Sequence, residues 1–323
     1  MNIVDALVLK NLKGVGEISI NKLLEFASGN NISSLEELAK LSIQTLPLKK
    51  VPTSLKEFLE DAEFEVARLI VQDEMRNWSD QGITAICRNS EQYPKPLLGL
   101  EDPPPFLYCK GNLALLQKFK AIAVVGTREN TSLGAEIASR TTKVFSEAGF
   151  VIVSGLALGI DAIAHKAAIE SGGSTIAVLV DIQKVVPEKN RILADSILKN
   201  NGLWIAENPP GTNVFPALFA KRDRIQSGLS TAVFAIETSK TGGTMHAVRA
   251  AVKMGRPVFV PDPVAARYND LNLEVIQGTQ FLISDGLARS YTGGSYKLIS
   301  QELEALALKM EKSRDLSQGG VLL

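Results

Sequence analysis

Apolar residues recur at helical spacing through the first part of the chain. The stretches LEELAKLSIQTL (residues 35–46) and LKEFLEDAEFEVARLIVQDEM (residues 55–75) carry apolar positions three and four residues apart, which is the spacing of amphipathic helices. This pattern predicts a small helical domain over residues 1–80.

The pattern changes after residue 120, where short apolar runs alternate with helical stretches. The runs lie at residues 121–125, 150–154, 175–180, 203–206, 232–237 and 257–260. They are apolar on both faces, as in strands of a covered parallel sheet. The first two flank a helical stretch with Leu133, Ile137, Val144 and Ala148 on one face. We therefore predict an α/β fold with a doubly wound, mostly parallel sheet over residues 121–290.

Two further segments complete the predicted organisation. EQYPKPLLGLEDPPPFLYCKGN holds five prolines, which favour extended chain over helix or central strand. We predict a Pro-rich linker and entry to the core over residues 81–120, with the domain boundary inside it. Residues 291–323 are predicted to form a C-terminal helix, LISQELEALALKMEKSRD, and a tail.

The charge of the whole chain is balanced, and only the charges of individual segments are informative. The 323 residues include 35 Lys and Arg and 35 Asp and Glu, so the net charge indicates no particular partner. Residues 56–75 carry seven acids and two bases, whereas residues 215–260 carry seven bases and two acids. The basic segment indicates either a phosphate-binding surface or an ordinary solvated face.

The cysteines, histidines and apolar runs exclude several classes. Two cysteines, Cys87 and Cys109, and two histidines, His165 and His246, give no disulfide framework and no histidine-rich metal site. The start MNIVDALVLKNLKG lacks the pattern of a signal peptide, and no apolar run reaches the ~18 residues of a membrane helix. We expect a cytoplasmic protein with no membrane partner, no metal and no cofactor.

A glycine turn near the start, LKGVGEISINKLLEF, resembles a helix-hairpin-helix turn. The backbone amides at such a helix start can hold a DNA phosphate. The alternative is an ordinary turn between two packed helices.

The ends of the predicted strands carry the candidate binding residues, because ligands of such sheets bind beyond the carboxyl ends of the strands. In VVGTRENTSLG, Gly126 permits a tight turn, and Thr127 and Arg128 follow at the sheet edge. Thr131 or Ser132 is expected to cap the next helix. The chain lacks the glycine patterns of dinucleotide and Walker A loops. Arg128 predicts a phosphate contact, with an ion pair to a carboxylate as the alternative.

The next strand end, SGLALGIDAIAH, places Asp161 and His165 one helical turn apart. An acid/base pair is one interpretation. The pair lacks a nucleophile and a third partner in the local sequence, so we favour Asp161 as a helix cap and a loop that holds an anion.

Two later strand ends add basic and glycine-rich segments. NPPGTNVFPALFAKRDRIQSGLS combines Phe215 and Phe219 with a run of basic residues. Aromatic faces and cations together are typical of single-stranded nucleic acid sites, although core packing and a solvated face would give the same composition. ETSKTGGTMHAVRAAVKMG starts a helix with Gly242 and Gly243, whose amides are further candidates for phosphate binding.

Together these segments resemble the DNA-processing protein A family (DprA, also called Smf). The matching pieces are YPKPLLGLEDPPPFLYCKGN, AVVGTR, SGLALGIDAIAH, TIAVLV, FAKRDRIQSGLS and TGGTMHAVRAAVKMGRPVFV, in the family's order from residue 93 to about residue 283. The resemblance implies an extended Rossmann-like domain, preceded by a sterile-alpha-motif-like or helix-hairpin-helix-like module. It also implies a non-catalytic homodimer that binds single-stranded DNA, protects it and helps to load a RecA-type recombinase during natural transformation.

The resemblance and the strand ends together give one set of candidate DNA-binding and phosphate-binding residues, none of them catalytic. They are Gly126, Thr127, Arg128, Ser154, Gly155, Leu156, Gly159, Asp161, Phe219, Lys221, Arg222, Arg224, Lys240, Gly242, Gly243 and Thr244.

The chain departs from the family pattern at several points. Asp223 stands where the family usually has asparagine between two arginines, and Gly242-Gly243 replaces the usual Gly-Ser. The Gly-rich turn with Tyr-Pro appears as VDIQKVVPEKN, which keeps Pro187 and Asn190. The segment after the last strand is too short for the winged-helix module of many members.

A second hypothesis is a nucleotide-binding sensor or a nucleoside-monophosphate-processing protein of the related lysine-decarboxylase-like Rossmann group, with a role in phage defence. The hydrolases of that group carry Pro-Gly-Gly-x-Gly-Thr followed by a glutamate. The corresponding segment here, KTGGTMHAV, lacks both the proline and the glutamate. This argues against hydrolysis and leaves nucleotide sensing open.

Overall fold

The computed structural model describes residues 1–266 and 274–318 and divides into two compact units. The first unit comprises Met1–Tyr93 and Asp102–Cys109, and the second comprises Pro94–Glu101 and Lys110–Leu323. The chain therefore passes between the units within the Pro-rich segment. No helix in the described ranges combines the length and apolar character that a bilayer span requires.

The first unit is mainly helical. Its elements are α1 (Ile3–Asn11), α2 (Glu17–Gly29), α3 (Leu35–Ala39), α4 (Thr53–Asp61), α5 (Phe64–Asp80), β1 (Ile83–Cys87) and most of β2 (Phe106–Gly111). Apolar side chains of α1, α2 and α3 form its core. The Arg68 guanidinium of α5 pairs with the buried Asp5 carboxylate of α1, with Nε 2.7 Å from Oδ1. A charged pair thus ties α5 to α1.

The helical stretches of this unit are shorter than their apolar pattern predicts. The pattern over residues 35–46 becomes α3 and a short 3₁₀ turn, Ile43–Thr45. The Ser42 hydroxyl accepts from the Gln44 amide and caps that turn, because serine hydrogen-bonds the local backbone in competition with a continuous helix. The stretch over residues 55–75 is broken at Ala62, which has a left-handed φ of 54°.

The glycine turn near the start connects α1 to α2. Gly14 has a φ of 85°, in the left-handed region that favours glycine, and Gly16 is the N-cap of α2. Binding of DNA phosphate at this turn stays a prediction.

The Pro-rich segment is predicted to form extended chain with neither helix nor central strand, and it departs from this prediction in two places. Lys95–Gly99 forms a 3₁₀ helix, and β2 begins at Phe106, directly after the last proline. From that point every residue has an amide donor again, and the apolar run FLYC is buried. The donors and the buried side chains together favour a strand.

The second unit contains a parallel sheet of seven strands in the order β6-β5-β4-β3-β7-β8-β9. The strands are β3 (Ala121–Val125), β4 (Val151–Ser154), β5 (Thr175–Leu179), β6 (Leu203–Ala206), β7 (Ala232–Ala235), β8 (Val258–Pro261) and β9 (Arg289–Tyr291). The direction of winding reverses between β3 and β7. A ligand site is expected at the carboxyl ends of these two strands.

Helices cover both faces of this sheet. They are α6 (Ser132–Glu147), α7 (Ile160–Glu170), α8 (Arg191–Lys199), α9 (Pro216–Gly228), α10 (Thr244–Lys253), α11 (Glu274–Ser284) and α12 (Tyr296–Gln318). Within β7, Phe234 packs in one core layer with Phe145 of α6, whereas Val233 packs in the other with Val248 of α10. The α/β fold class with a doubly wound, mostly parallel sheet is confirmed.

Each of the six predicted strands is present, with ends within two residues of the predicted ones. β9 has only three residues, two of them exposed, so it lacks the apolar run that marks the others. On α6, Ala138, Thr141 and Phe145 are fully buried, while Ile137 and Val144 of the predicted face pack at the edge of the core. The C-terminal helix is present as α12, and tail residues 319–323 lie outside the described residues.

Candidate nucleic-acid interface

A cavity of about 520 Å³ opens at the carboxyl ends of β3 and β7. Its walls are the turn after β3 (residues 125–129), the loop after β4 with the start of α7, one face of α9, the turn after β7 with the start of α10, and the first residues of α11. The cavity therefore lies at the point where the sheet reverses its winding, as the topology predicts.

The turn after β3 carries the exposed cation of the cavity. Gly126 is required there, because an added Cβ would lie 2.5 Å from Cγ1 of Ile160. Arg128 is exposed, and its guanidinium lies 5.8 Å from the centroid of the Phe219 ring. No carboxylate in the described ranges lies within ion-pair distance of this guanidinium. Arg128 is thus available to an anion that enters the cavity.

The start of α6 is occupied by the protein's own carboxylate. The Thr131 hydroxyl accepts from the Gly134 amide, which confirms Thr131 as the helix cap. The Glu237 carboxylate accepts from the Thr131 amide at 2.9 Å and from the Thr131 hydroxyl at 2.6 Å. Gly134 leaves room for this carboxylate, since an added Cβ would lie 2.3 Å from its Cδ. An anion already stabilises this helix start.

The loop after β4 is anchored by backbone contacts. The Ser154 hydroxyl donates to the Val124 carbonyl, and the side-chain amide of Asn190 donates to the Leu156 carbonyl at 2.8 Å. Leu156 is fully buried with a φ of 58°. An added Cβ on Gly159 would lie 2.4 Å from the Thr127 carbonyl oxygen. Ser154, Leu156, Gly159 and Asn190 thus support the loop next to the cavity and do not line it.

Asp161 lines the cavity, but it does not cap α7 as predicted. It is the second residue of α7, whose N-cap is Gly159 without a side-chain cap. Its Oδ2 accepts from the Gly155 amide at 3.1 Å, so the carboxyl group closes the preceding loop. Burial raises the pKa of Asp161, and the neighbouring Arg222 guanidinium acts in the opposite direction.

His165 is a buried structural residue. Its Nδ1 lies 2.7 Å from the Thr175 hydroxyl, and its Nε2 has no hydrogen-bond partner among the described residues. Burial lowers the pKa of His165 to about 3, so its ring is neutral at physiological pH. The side chain makes no hydrogen bond to Asp161, as an acid/base pair would require.

One face of α9 forms a wall of the cavity. Phe219, Arg222, Asp223 and Gln226 line it, at the spacing that places residues on one side of a helix. Arg222 is buried, and its guanidinium donates to the Gly155 carbonyl at 2.5 Å and also to the Val178 carbonyl. This guanidinium therefore holds the ends of β4 and β5 together beneath the cavity.

The other two cations of the FAKRDR stretch point elsewhere. Arg224 makes a bidentate pair with Glu207 through contacts of 2.8 and 2.9 Å, and the Lys221 ammonium lies 3.2 Å from the same carboxylate. Glu207 is buried, so it needs this positive charge. Neither Lys221 nor Arg224 lines the cavity.

Asp223 places a carboxylate in the cavity wall. Its Oδ1 accepts from the side-chain amide of Gln226 at 2.8 Å and lies 3.2 Å from the Arg222 Nε. Burial raises the pKa of Asp223 from 3.8 to about 6. The Arg222 and Arg128 guanidinium groups act in the opposite direction, and the Asp161 carboxyl group adds to the increase. Above pH 6 the Asp223 side chain is therefore ionised, next to the Arg222 guanidinium in the same wall.

The start of α10 faces the cavity without a cap. Gly242, Gly243 and Thr244 line the wall, and the N-cap Gly243 has no side-chain partner. No acceptor within residues 1–266 and 274–318 receives the amide hydrogen of Gly243 or Thr244. Two unsatisfied amides at a helix start are suited to an anion. Lys240 is exposed nearby in sequence and contacts the Phe281 ring, and it does not line the cavity.

The structure thus brings together nine of the sixteen candidate residues. These are Gly126, Thr127, Arg128, Asp161, Phe219, Arg222, Gly242, Gly243 and Thr244. Sequence reasoning missed several other lining residues, among them Glu129, Gln226, Thr238, Ser239 and Glu274. Gln226 had a detectable signal, because it lies seven residues after Phe219 on a predicted helix.

Among the described residues, no cluster of three or more histidine, cysteine, aspartate and glutamate side chains is arranged to hold a metal ion. Cys87 and Cys109 are both free and buried.

Sequence comparisons relate the chain to DNA processing proteins. The family model described as DNA recombination-mediator protein A matches residues 84–302. The DNA processing protein DprA of Bacillus subtilis is 35% identical over 230 residues, which are 71% of this chain and 70% of that protein. Protein Smf of Escherichia coli is 36% identical over 181 residues, 55% of this chain and 48% of that protein.

Two solved structures share the fold. The X-ray structure of DNA processing protein A from Streptococcus pneumoniae has a TM-score of 0.77 at 28% identity and covers 93% of this chain and 98% of that one. A structure of the Helicobacter pylori protein, described as giving insights into a unique single-stranded DNA binding mode, has a TM-score of 0.60 at 27% identity. It covers 69% of this chain and 96% of that one.

Proposed function

The chain belongs to the DNA recombination-mediator protein A family, and from this premise we propose that it binds single-stranded DNA in the cavity at the ends of β3 and β7. The proposal includes protection of the strand and its transfer to a RecA-type recombinase during DNA uptake. We further propose that the protein acts as a homodimer in the cytoplasm and catalyses no reaction.

The observation that carries the proposal is the pairing of an available cation with an accessible aromatic ring. Arg128 is exposed and the Phe219 ring is half buried, and both line the same cavity. A guanidinium holds phosphate, and an aromatic face stacks on a base of any sequence. The uncapped start of α10 adds two backbone donors on another wall. The relative from Helicobacter pylori is described as binding single-stranded DNA.

The placement of the other charged residues supports a binding role over a catalytic one. Asp161 closes a loop, and the neutral His165 ring pairs with a threonine hydroxyl. The buried Arg222 and Arg224 contribute to the architecture of the unit. Arg128 is therefore the cation whose loss should change binding most with least effect on stability.

The test is a titration of labelled oligonucleotides, single-stranded and double-stranded, at two salt concentrations. We expect Arg128→Ala to weaken single-strand binding several-fold and to reduce the salt dependence by about 0.7 in log–log slope, the value for one lost phosphate contact. Arg76→Ala, which removes an exposed arginine of α5, is the matched control and should bind as the wild type does. Unchanged affinity in Arg128→Ala, or binding that ignores salt, would contradict the proposal.

The size of the cavity keeps a second candidate function open. The cavity volume of about 520 Å³ lies within the range of small-ligand pockets. In this alternative the protein is a nucleotide sensor, and a mononucleotide binds to the same cavity walls. Competition of nucleoside monophosphates against the labelled strand, with analysis for released base, separates the two. Binding of a monophosphate without binding of a single strand would favour the sensor, and release of base would establish a hydrolase.

A further inference from the structure

The cavity wall carries charges of both signs. Arg128 and the free amides of Gly243 and Thr244 offer donors, while Glu129, Glu274 and, on α9, Asp223 contribute carboxyl groups. The Asp223 carboxylate lies beside the Arg222 guanidinium. A phosphate is attracted to the donors and repelled by the carboxylates. We therefore expect a bound nucleotide to place its phosphate near Arg128 and the amides, with its base toward the Phe219 ring on α9.

The Asp223 carboxylate is held in a fixed position. The side-chain amide of Gln226 donates to Oδ1, and the Arg222 Nε lies near the same oxygen. Gln226 is buried, and its own Oε1 has no partner among the described residues. Oδ2 of Asp223 receives no hydrogen bond within the described ranges. One carboxylate oxygen is thus anchored, and the other has no hydrogen-bond partner among the described residues.

This free acceptor lies next to the expected base platform. Asp223 follows Phe219 by four residues, so the two side chains are neighbours on the same helical face. The Asp223 side chain is 16% exposed, and both residues line the cavity. A base that stacks on the Phe219 ring therefore presents its edge toward Asp223.

We propose that Asp223 makes this site selective for bases with an exocyclic amino group, namely cytosine, adenine and guanine, over thymine and uracil. The inference rests on the proposed function and adds the class of base that the site accepts.

The chemistry of the base edges explains the selectivity. A carboxylate accepts hydrogen bonds and donates none, so it pairs with the amino group of cytosine, adenine or guanine. Guanine offers two adjacent donors, its ring N–H and its amino group. Thymine and uracil offer one ring N–H between two carbonyl oxygens, and these oxygens repel the carboxylate. An acceptor buried against another acceptor is left without a partner, which is unfavourable.

The test uses short labelled strands that are abasic except for one central base, so that only the base varies. The first comparison is cytosine against uracil, and the second is guanine against hypoxanthine, which lacks only the amino group. Binding is measured by fluorescence anisotropy at about pH 8, where Asp223, with its pKa of about 6, is ionised. We expect the wild type to prefer the amino-bearing base by about five- to tenfold in each comparison.

Two variants link the preference to this side chain. Asp223→Asn presents both a donor and an acceptor, so the preference should fall to about twofold or less. Asp195→Asn removes a carboxylate from the exposed ion pair with Arg191 on α8 and should leave the preference intact. Thermal denaturation of each variant verifies that it is folded.

The outcomes separate the inference from the proposed function. Equal binding of both bases by the wild type, with a mixed-sequence single strand still bound, overturns the base selectivity and leaves the proposed function standing. Persistence of the preference in Asp223→Asn also overturns it. Failure to bind any single strand refutes the proposed function itself.

Discussion

Asp223→Asn should stabilise the protein at neutral pH and have little effect on stability in acid. Burial raises the pKa of Asp223 from 3.8 to about 6, so the folded protein holds this proton more tightly than the unfolded chain does. Between pH 4 and pH 6 the folded state binds more protons, and stability therefore falls as pH rises through this window. Above the window, the ionised carboxylate lowers stability by the full amount.

The magnitude follows from the two pKa values. The difference between 3.8 and about 6 corresponds to about 3 kcal/mol in the free energy of unfolding. Asparagine has nearly the shape of the protonated acid and cannot ionise. Because the pKa of 3.8 in the unfolded chain lies just below pH 4, part of this difference is already present at pH 4. The advantage of the variant over the wild type should therefore grow by about 2 kcal/mol from pH 4 to pH 7, or about 4–8 °C in melting temperature for a unit of this size.

The assay is thermal and urea denaturation of both proteins at several pH values. The change with pH is the predicted quantity, because it cancels any constant difference in packing. The groups facing Asp223 are Arg222, Asp161, Arg128 and Gln226, and all are present in both proteins. Asp195→Asn, in an exposed pair, should follow the wild type within about 0.5 kcal/mol at every pH. If the difference in the free energy of unfolding between Asp223→Asn and the wild type did not change with pH, the reasoning would be refuted. A variant whose advantage over the wild type shrinks from pH 4 to pH 7 would also refute it.

Two further substitutions test the architecture around the cavity. Arg224→Ala should destabilise the protein by about 3–5 kcal/mol, because it leaves the buried Glu207 carboxylate with less positive charge; urea denaturation measures this, and a loss below about 1 kcal/mol would contradict the structural role. Gly134→Ala should cost about 1–3 kcal/mol, because the new Cβ overlaps the Glu237 carboxylate, whereas Gly29→Ala, with open space at the Cβ position, should be neutral or slightly stabilising in the same thermal assay.

The fold was largely predictable because its signals are local. A strand that is buried on both faces carries a continuous apolar run, and the run at residues 121–125 gives the bounds of β3. The weakly patterned β9 lacked such a run. The start of β2 was hidden by the prolines that precede Phe106. β9 forms by pairing with β8, which no local pattern reveals, whereas β2 carries a buried apolar run that the preceding prolines outweighed in the prediction.

The candidate site was less predictable because ion pairing is not local. The spacing of FAKRDR indicates a basic helix, but the partner of Arg224 is Glu207, seventeen residues earlier at the end of β6. The carboxylate at the start of α6 is likewise Glu237, which follows β7. The sequence places Arg128, Arg222 and Arg224 in one class of candidate cation and does not show that Arg128 is exposed whereas Arg222 and Arg224 are buried.

Asp223 places a carboxylate in a cavity whose hydrogen-bond donors favour anions, and this placement requires an explanation. One explanation is that it neutralises Arg222, but that guanidinium already donates to two backbone carbonyls. A neutral asparagine at this position would accept the same bond from Gln226 and would avoid the electrostatic cost of ionisation at neutral pH. Recognition of a base edge by Asp223 explains why the side chain is a hydrogen-bond acceptor, why its orientation is fixed and why it lies beside Phe219. Retention of a destabilising charge at a binding site is the expected pattern when function and stability impose different requirements on one residue.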